Sequence, residues 1–384
     1  MFGKVKTKLG VDIGAGGIKL VELQQKKGHP VLFTYALAPE DLAIHPLSQA
    51  TVNKSPEDLI IGRTEKTTPN QSDLETDDSD LSNDKVQEYS AILKEALKRA
   101  RVTTKSATVS LPVSVVFHAV ITLPKMDKKE FDSVLKAKVQ KLVPLPLEKL
   151  SLDYQIIDNK NDQDKTQKIL INAVEKKRVS FYAKIFQASG LTLESLEPES
   201  TALSRSLIGK DKSVSMIVDI GAKRTNFFIV DNGYPMTHHS TEVGGEKVNK
   251  ILQNRLGIED ELVETIKKDL SNTLMFDKKF LEKEKFLEML SPVVDPIIKE
   301  IGYSFEIYLR QQGNEDKIPE KIILTGGGAI FPFLAEYIEE KFKKKCFLGD
   351  PWARIVHQQS LRPLLNKIGP RMSVAVGLAL RDMV

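Results

Sequence analysis

A single cysteine, Cys346, in 384 residues leaves no intrachain disulfide and no cysteine metal cluster, which agrees with a reducing compartment. Long apolar runs are missing too. Stretches such as Ile322 to Leu324 fall far short of the roughly 20 residues that a membrane span needs, and the opening MFGKVKTKLG lacks the apolar stretch of a signal peptide. A cytoplasmic chain without direct membrane insertion is therefore expected. A charge excess is also scarce: 56 basic and 52 acidic residues give a net charge of +4, spread along the chain. With no base-contacting or stacking motif beside it, nucleic acid is not an expected partner. What is present, 41% hydrophobic and 28% charged residues, suits a water-soluble protein with two or three domains.

Against this background one short pattern occurs twice, at Leu9 to Lys19 (LGVDIGAGGIK) and Ile217 to Asn226 (IVDIGAKRTN). In each copy apolar residues lead to Asp-Ile-Gly, so a buried strand ends in a carboxylate and then a turn where glycine lets backbone approach a ligand. Gly326, Gly327 and Gly328 in IILTGGGAIF form a third strand-to-glycine turn. Two such loops can hold one phosphate chain from opposite sides, so the set implies a two-lobed nucleotide clamp.

Between these landmarks the chain alternates strands and helices, which places it in the α/β class. IKLVELQQKKGHPVLFTYALAP alternates around Lys27-Gly28 and reads as two antiparallel strands, making the opening a β-meander. From about Glu40 to Asp84 the composition turns to Ser, Thr, Asn, Pro and acid. It holds too few apolar residues to offset the entropy of ordering, so a mobile, solvated surface excursion is expected rather than an acidic partner-binding tail. Val86 to Arg101 has helical spacing. Ala107 to Ser189 reads as a compact β-β-α-β-β-α unit, with its first helix at Lys128 to Leu142 and its second at Val179 to Ala188. Helices follow at Glu242 to Leu256, Glu261 to Leu270 and Ser291 to Gln312, the last with a broad apolar face that belongs to a core.

The chemistry-bearing residues fall at the turns. Asp12 can hold the hydration shell of a magnesium ion, while Gly14, Ala15, Gly16 and Gly17 offer backbone amides to phosphate and Lys19 adds a point charge. Asp219 and Gly221, Ala222, Lys223, Thr225 and Asn226 repeat the arrangement. Glu197, in LEPESTALSRSL before a helix, is placed either to orient the attacking water or to cap that helix. Gly245, Glu246 and Lys247 open the next helix, where a polar pair suits a ribose, and Gly326 to Gly328 let backbone lie against a base. Turn and cap chemistry is the plain alternative for each of these positions.

Taken in order, these motifs resemble the actin-like ATPase superfamily of actin, Hsp70 chaperones and FtsA: phosphate 1 (Gly10 to Lys19), connect 1 (Glu197 to Ser206), phosphate 2 (Val218 to Asn226), adenosine (Leu324 to Ala329) and connect 2 (Ser373 to Leu380). The chain is more similar to the PilM family of type IV pilus assembly in LGVDIGAGGIKLVEL, VQKLVPLPLEKLSLDYQII, VGGEKVNKIL and MSVAVGLALR. The resemblance implies an actin-like, ribonuclease H-like fold of two lobes. Residues 1–106 form the first lobe with the insertion at about 40–85, residues 107–189 an inserted subdomain, residues 190–372 mainly the second lobe, and residues 373–384 a terminal helix returning to the first lobe. It also implies ATP and Mg2+ as ligands, Asp12 and Asp219 at the metal and Glu197 at the catalytic-glutamate position. Hydroxyl residues common in both phosphate loops of the family are replaced here by Ala15, Gly16, Gly17, Lys223 and Arg224, which favours ATP binding over fast hydrolysis.

The expected function is an ATP-binding scaffold of pilus assembly, peripheral to the inner membrane through other pilus assembly proteins. Its implied partner is a PilN-type protein, whose cytoplasmic N-terminal tail docks between the first lobe and the inserted subdomain. Val115, Val116 and Phe117 and the helix Phe131 to Leu142 are the candidate groove residues. The rivals are a small-molecule kinase of the same superfamily, for which no substrate-side acid is identifiable beyond Glu197, and an FtsA-like filament-forming division protein, which predicts polymers with ATP.

Overall fold

The computed structural model describes residues 6–38, 81–143, 145–157, 165–257, 263, 283–311 and 313–383. The excursion expected at about 40–85, apart from its last residues, and the helix expected at Glu261 to Leu270, apart from Val263, lie outside the described residues. β1 (Thr7–Gly14), β2 (Gly17–Lys26) and β3 (His29–Leu37) form the expected antiparallel meander. The β2–β3 turn is two residues long because Lys27 (φ 51°) and Gly28 (φ 82°) both take left-handed backbone, whose twist matches that of the strands. Helix α1 (Asn83–Arg99) starts where Ser82 Oγ accepts the Lys85 N–H at 3.3 Å. Its buried stripe of Val86, Tyr89, Leu93 and Ala96 faces the sheet, and a buried side chain the size of Leu93 contributes about 1.5–3 kcal/mol. β4 (Ser106–Leu111) then pairs in parallel with β1.

The order β-β-α-β-β-α follows as expected, but its elements do not make one unit. β5 (Phe117–Pro124), α2 (Lys128–Leu142), β6 (Leu150–Ile157) and β7 (Thr166–Glu175) build a separate three-stranded sheet, in the order β5-β7-β6, around Phe131, Leu135, Val139 and Ile171. β4 stays in the first sheet, because Ala107 to Leu111 are all buried and need cover on both faces. Helix α3 (Lys176–Ala188) also belongs to the first lobe: Phe181, Tyr182, Ile185 and Phe186 share a core with Tyr89 and Leu93 of α1. β8 (Thr192–Pro198), which the expected boundary at residue 190 gave to the second lobe, pairs in parallel with β4 and completes the sheet β3-β2-β1-β4-β8.

After the short helix α4 (Glu199–Leu203), the second sheet repeats the plan of the first. β9 (Ser215–Ile220), β10 (Thr225–Asp231) and β11 (Tyr234–Thr241) are a meander, and β12 (Lys321–Thr325) and β13 (Lys345–Leu348) add in parallel, giving β11-β10-β9-β12-β13. The central strands β1 and β9 are thus equivalent, and each runs out into Asp-Ile-Gly. Helices α5 (Gly245–Leu256), α6 (Lys283–Met289), α7 (Ser291–Leu309) and α8 (Leu334–Phe342) contribute Val248, Leu252, Phe286, Val293, Ile297, Ile301 and Leu334 to a core with Val218 and Leu324. Helix α9 (Arg362–Ala379) lies between the sheets: Val374 and Leu378 pack with Ile217, Phe228 and Ile323, while Ala375 and Val376 pack with Val21 and Leu23. Among the described residues no helix is long and apolar enough to cross a membrane.

Candidate functional site

Because β1 and β9 are central and equivalent, their acidic ends converge. Asp12 is 6% exposed; its Oδ1 accepts from Ser110 Oγ at 2.7 Å, and its Oδ2 lies 3.4 Å from Lys19 Nζ, directly across the β1–β2 ladder. Asp219 stands beside Asn226 in the β9–β10 ladder, and Asn226 Nδ2 lies 3.4 Å from both Asp219 Oδ2 and Glu199 Oε2. The Val113 N–H donates to the same Glu199 oxygen at 3.3 Å. The two glycine turns face each other: a Cβ built on Gly16 would lie 3.7 Å from Ala222 Cβ and 3.9 Å from Lys19 Nζ.

The third turn closes the back of the site. Gly326 has φ +85°, which disfavours other residues, and a Cβ there would come within 2.5 Å of Asp219 Oδ1. Its N–H and the Thr325 hydroxyl both donate to the Pro370 carbonyl of α9, at 2.9 and 3.0 Å. Gly328 is pressed against Ile220, and Gly327 against the Arg371 side chain. Behind Gly328 lies an apolar recess of only about 10 Å³, lined by Ile220, Val248, Leu287 and Phe331.

Three carboxylates in one buried place repel one another. Burial first, then Asp12, pushes the Asp219 carboxyl up to about 6. Glu199 is raised well above the usual carboxylate range by burial, then by Asp12 and Asp219. Such a set answers to a hard cation with oxygen ligands. Among the described residues no group of three or more His, Cys, Asp or Glu side chains is placed to hold a metal ion directly.

Several expected positions are brought together and others are not. Gly14, Ala15, Gly16, Gly17, Lys19, Gly221, Ala222 and Asn226 frame the cleft. Thr225 does not reach it: its side chain is fully buried and its hydroxyl donates to the Val243 carbonyl at 2.6 Å. Arg224 is held by Glu242 at 3.3 Å, while Lys223 is half-buried in the same turn. Gly245, Glu246 and Lys247 begin α5 against this loop, since the Gly245 and Glu246 N–H groups donate to the Gly221 and Ala222 carbonyls at 2.9 and 2.8 Å; Glu246 and Lys247 are exposed. Glu197 is committed elsewhere. Its two oxygens meet Arg205 at 2.9 Å and Arg381 at 2.7 Å, so it ties β8 to the chain end beyond α9. The acid beside Asp12 and Asp219 is Glu199, two residues on, at the first position of α4. The only sequence signal for it was the second acid of Glu-Pro-Glu at a strand-to-helix junction.

A second concavity, of about 310 Å³, lies between the separate sheet and the first lobe. Ser151 and Asp153 of β6 and Asn172 of β7 line one side, and Leu193 and Leu196 of β8 the other, with Val179 of α3 also in the lining. β6 and β8 are the outer strands of their sheets. Of the expected groove residues only Val116 lines this space; Val115 is buried in the first-lobe core, Phe117 packs in the core of the small sheet, and Phe131, Leu135 and Val139 of α2 are buried there as well. β5 lies at the edge of its sheet opposite β6, an order that local pattern does not encode.

Residues 68–383 match the family described as type IV pilus assembly protein PilM. A solved PilM–PilN type IV pilus biogenesis complex includes a chain similar to this one over 98% of each, at 19% identity and a TM-score of 0.73. The crystal structure of ethanolamine utilization protein EutJ from Carboxydothermus hydrogenoformans is similar over 98% of this chain and 90% of that one, at 14% identity and a TM-score of 0.52. The cell division protein FtsA of Borreliella burgdorferi is 23% identical over 212 residues, 50% of this chain and 49% of FtsA, so the chain spans about half the length of that curated relative. The fold is actin-like.

Proposed function

The chain belongs to the PilM family of type IV pilus assembly proteins, and from that premise we propose that it is an ATP-binding scaffold on the cytoplasmic side of the inner membrane, recruited by the N-terminal tail of a PilN-type protein. The nucleotide reading rests above all on the meeting of Asp12, Asp219 and Glu199 between two facing glycine turns. Bound magnesium would supply charge neutralisation at the phosphate oxygens. The backbone amides of residues 14–17 and the Lys19 ammonium bind the phosphates, and Asn226 keeps Glu199 aimed at the cleft. Glu199, whose carboxyl burial, then Asp12 and Asp219, raise well above the usual range, is positioned to orient a water and, in its ionised form, to accept that water's proton.

The partner reading is supported by the groove between β6 and β8 and by the PilN component of the similar solved complex. Outer strands offer unpaired backbone to an extended peptide, and Leu193, Leu196 and Val179 offer it apolar contacts. One calorimetric experiment on the full chain tests both halves, with Mg-ATP and a peptide of the partner's tail as ligands. Asp12→Asn with Asp219→Asn should weaken Mg-ATP at least about tenfold and spare the peptide, and Leu193→Asp should do the reverse, since burying a carboxylate in an apolar contact costs a few kcal/mol. Unchanged Mg-ATP affinity in the double variant sinks the nucleotide assignment, and unchanged peptide affinity in Leu193→Asp sinks the groove.

A further inference from the structure

One charged patch takes part in neither the cleft nor the groove. It lies where β9, β12 and β13 begin, since Lys321 of β12 is in register with Ser215 and Lys345, just as Thr325 is with Asp219. Four residues of strand, roughly 13 Å, thus separate it from the acidic end of β9.

Lysines gather at this end of the second sheet. Lys321 and Lys345 are neighbours across the ladder, and Lys210 and Lys212 flank Asp211, whose carboxylate holds the Lys321 ammonium. That acid is thereby occupied. Lys343 and Lys344 follow in the turn that leads into β13, and among the described residues none of Lys210, Lys212, Lys343, Lys344 and Lys345 has an ion pair. The acids of α8 are engaged elsewhere. Glu336 and Glu339 lie by the Cys346 thiol, on the other face of β13, where Glu339 also accepts the Cys346 N–H at 3.1 Å; Glu340 meets Lys283 at 2.6 Å. Beside the lysines stands an apolar group. Phe347, in register with Ile323, extends the buried row of Ile217 and Ile323 to the outer edge of the sheet, where it is 43% exposed.

We propose that this edge rests on an anionic phospholipid surface, its lysines among the headgroups and the Phe347 ring in the interfacial layer beneath them. Clusters of about four to eight basic residues recognise such surfaces, and an exposed ring beside them matches a partner that is charged outside and apolar just below. The uncommitted cations are all lysines. Lysine is a point charge without the fork that arginine offers to one phosphate, so it suits the diffuse charge of many headgroups. The inner membrane at which the proposed scaffold works presents that charge, and this contact is separate from the partner's tail.

The test is flotation of the full chain, without any partner, on vesicles of phosphatidylcholine alone and of equal parts phosphatidylcholine and phosphatidylglycerol. The wild type should float with the mixed vesicles and not with the neutral ones, and should be released when salt rises from about 0.1 to about 0.5 M. Each lysine near the surface is worth about fivefold, so Lys210→Gln, Lys212→Gln and Lys345→Gln together should lower the partition about a hundredfold. Phe347→Ser should lower it while keeping the salt dependence. Mg-ATP affinity should be unchanged in every variant, and Lys343→Gln with Lys344→Gln, at about 25-fold, serves if the triple variant does not fold. Equal flotation on both vesicles, or none on the mixed ones, overturns the proposal and leaves recruitment by the tail standing. Wild-type flotation of the lysine variants overturns the assigned patch. Tighter binding of a short DNA duplex than of the mixed vesicles at the same salt makes the patch a nucleic-acid surface and overturns the lipid assignment.

Discussion

Asp219→Asn should remove a measurable proton from the binding reaction. Burial and Asp12 move the Asp219 carboxyl from 3.8 to about 6. This is a raised carboxylate, so the folded protein binds the proton more tightly than the unfolded chain does. Its contribution to stability is fully present below the unfolded value and is lost as pH rises through about 6. At about 1.4 kcal/mol for each unit of the difference, about 3 kcal/mol of nucleotide-free stability disappears across that window. A cation held by the ionised carboxylate has the opposite dependence: its affinity is full above about 6 and falls by about tenfold near pH 5.

At about pH 6 the group is half protonated, so Mg-ATP binding that requires the anion expels about 0.5 proton from this site. Calorimetry in two buffers of different ionisation enthalpy counts that proton. Protons from the nucleotide itself are common to both proteins, so the difference between wild type and Asp219→Asn isolates the side chain. The expected difference is about 0.5 proton near pH 6 and close to zero near pH 8. Glu199→Gln should extend the comparison to higher pH, because Glu199 is raised further by burial, then by Asp12 and Asp219. Identical proton counts in wild type and Asp219→Asn near pH 6, with binding intact in both, would show that the cation does not engage this carboxylate.

Gly377→Ala should destabilise the fold by about 1–3 kcal/mol or more, because its Cβ would clash with the Ala202 carbonyl, 1.9 Å from the oxygen and 2.5 Å from the carbon; a melting temperature within a degree of wild type would show that α4 and α9 are not in backbone contact. Cys346, buried and with its thiol pushed up to about 12 by burial and then by Glu339 and Glu336, should resist iodoacetamide near pH 8 in the folded protein and react once urea unfolds it; mass spectrometry showing full alkylation of the native chain would contradict that environment.

The paired loops were legible because their signal is local: a β-branched run, an acid and a glycine fix strand end, charge and turn within six residues. Helix positions were legible for a similar reason, Lys128–Leu142 matching the span that apolar spacing gives, although the helix expected from Val179 begins at Lys176. What escaped depends on partners far away in sequence. Glu197 and Glu199 both flank Pro198, and it takes Arg205 and Arg381, the latter 184 positions beyond Glu197, to show that the first acid is already paired. Thr225 looks like a phosphate ligand until the Val243 carbonyl is found above it. The three-stranded sheet occupies only part of the unit expected at residues 107–189, and which of its strands faces the first lobe is a question of order, β5-β7-β6, which no local periodicity carries.

Helix α9 explains how sites on separate lobes can share one geometry. A Cβ on Gly10 of β1 would strike the Ala375 carbonyl, and one on Gly377 the Ala202 carbonyl, so bare backbone of α9 is seated on the strand that ends in Asp12 and on the helix that begins with Glu199. At its other end the Pro370 carbonyl accepts from Thr325 and Gly326, the turn pressed against Asp219. One rigid helix therefore touches the supports of all three cleft carboxylates.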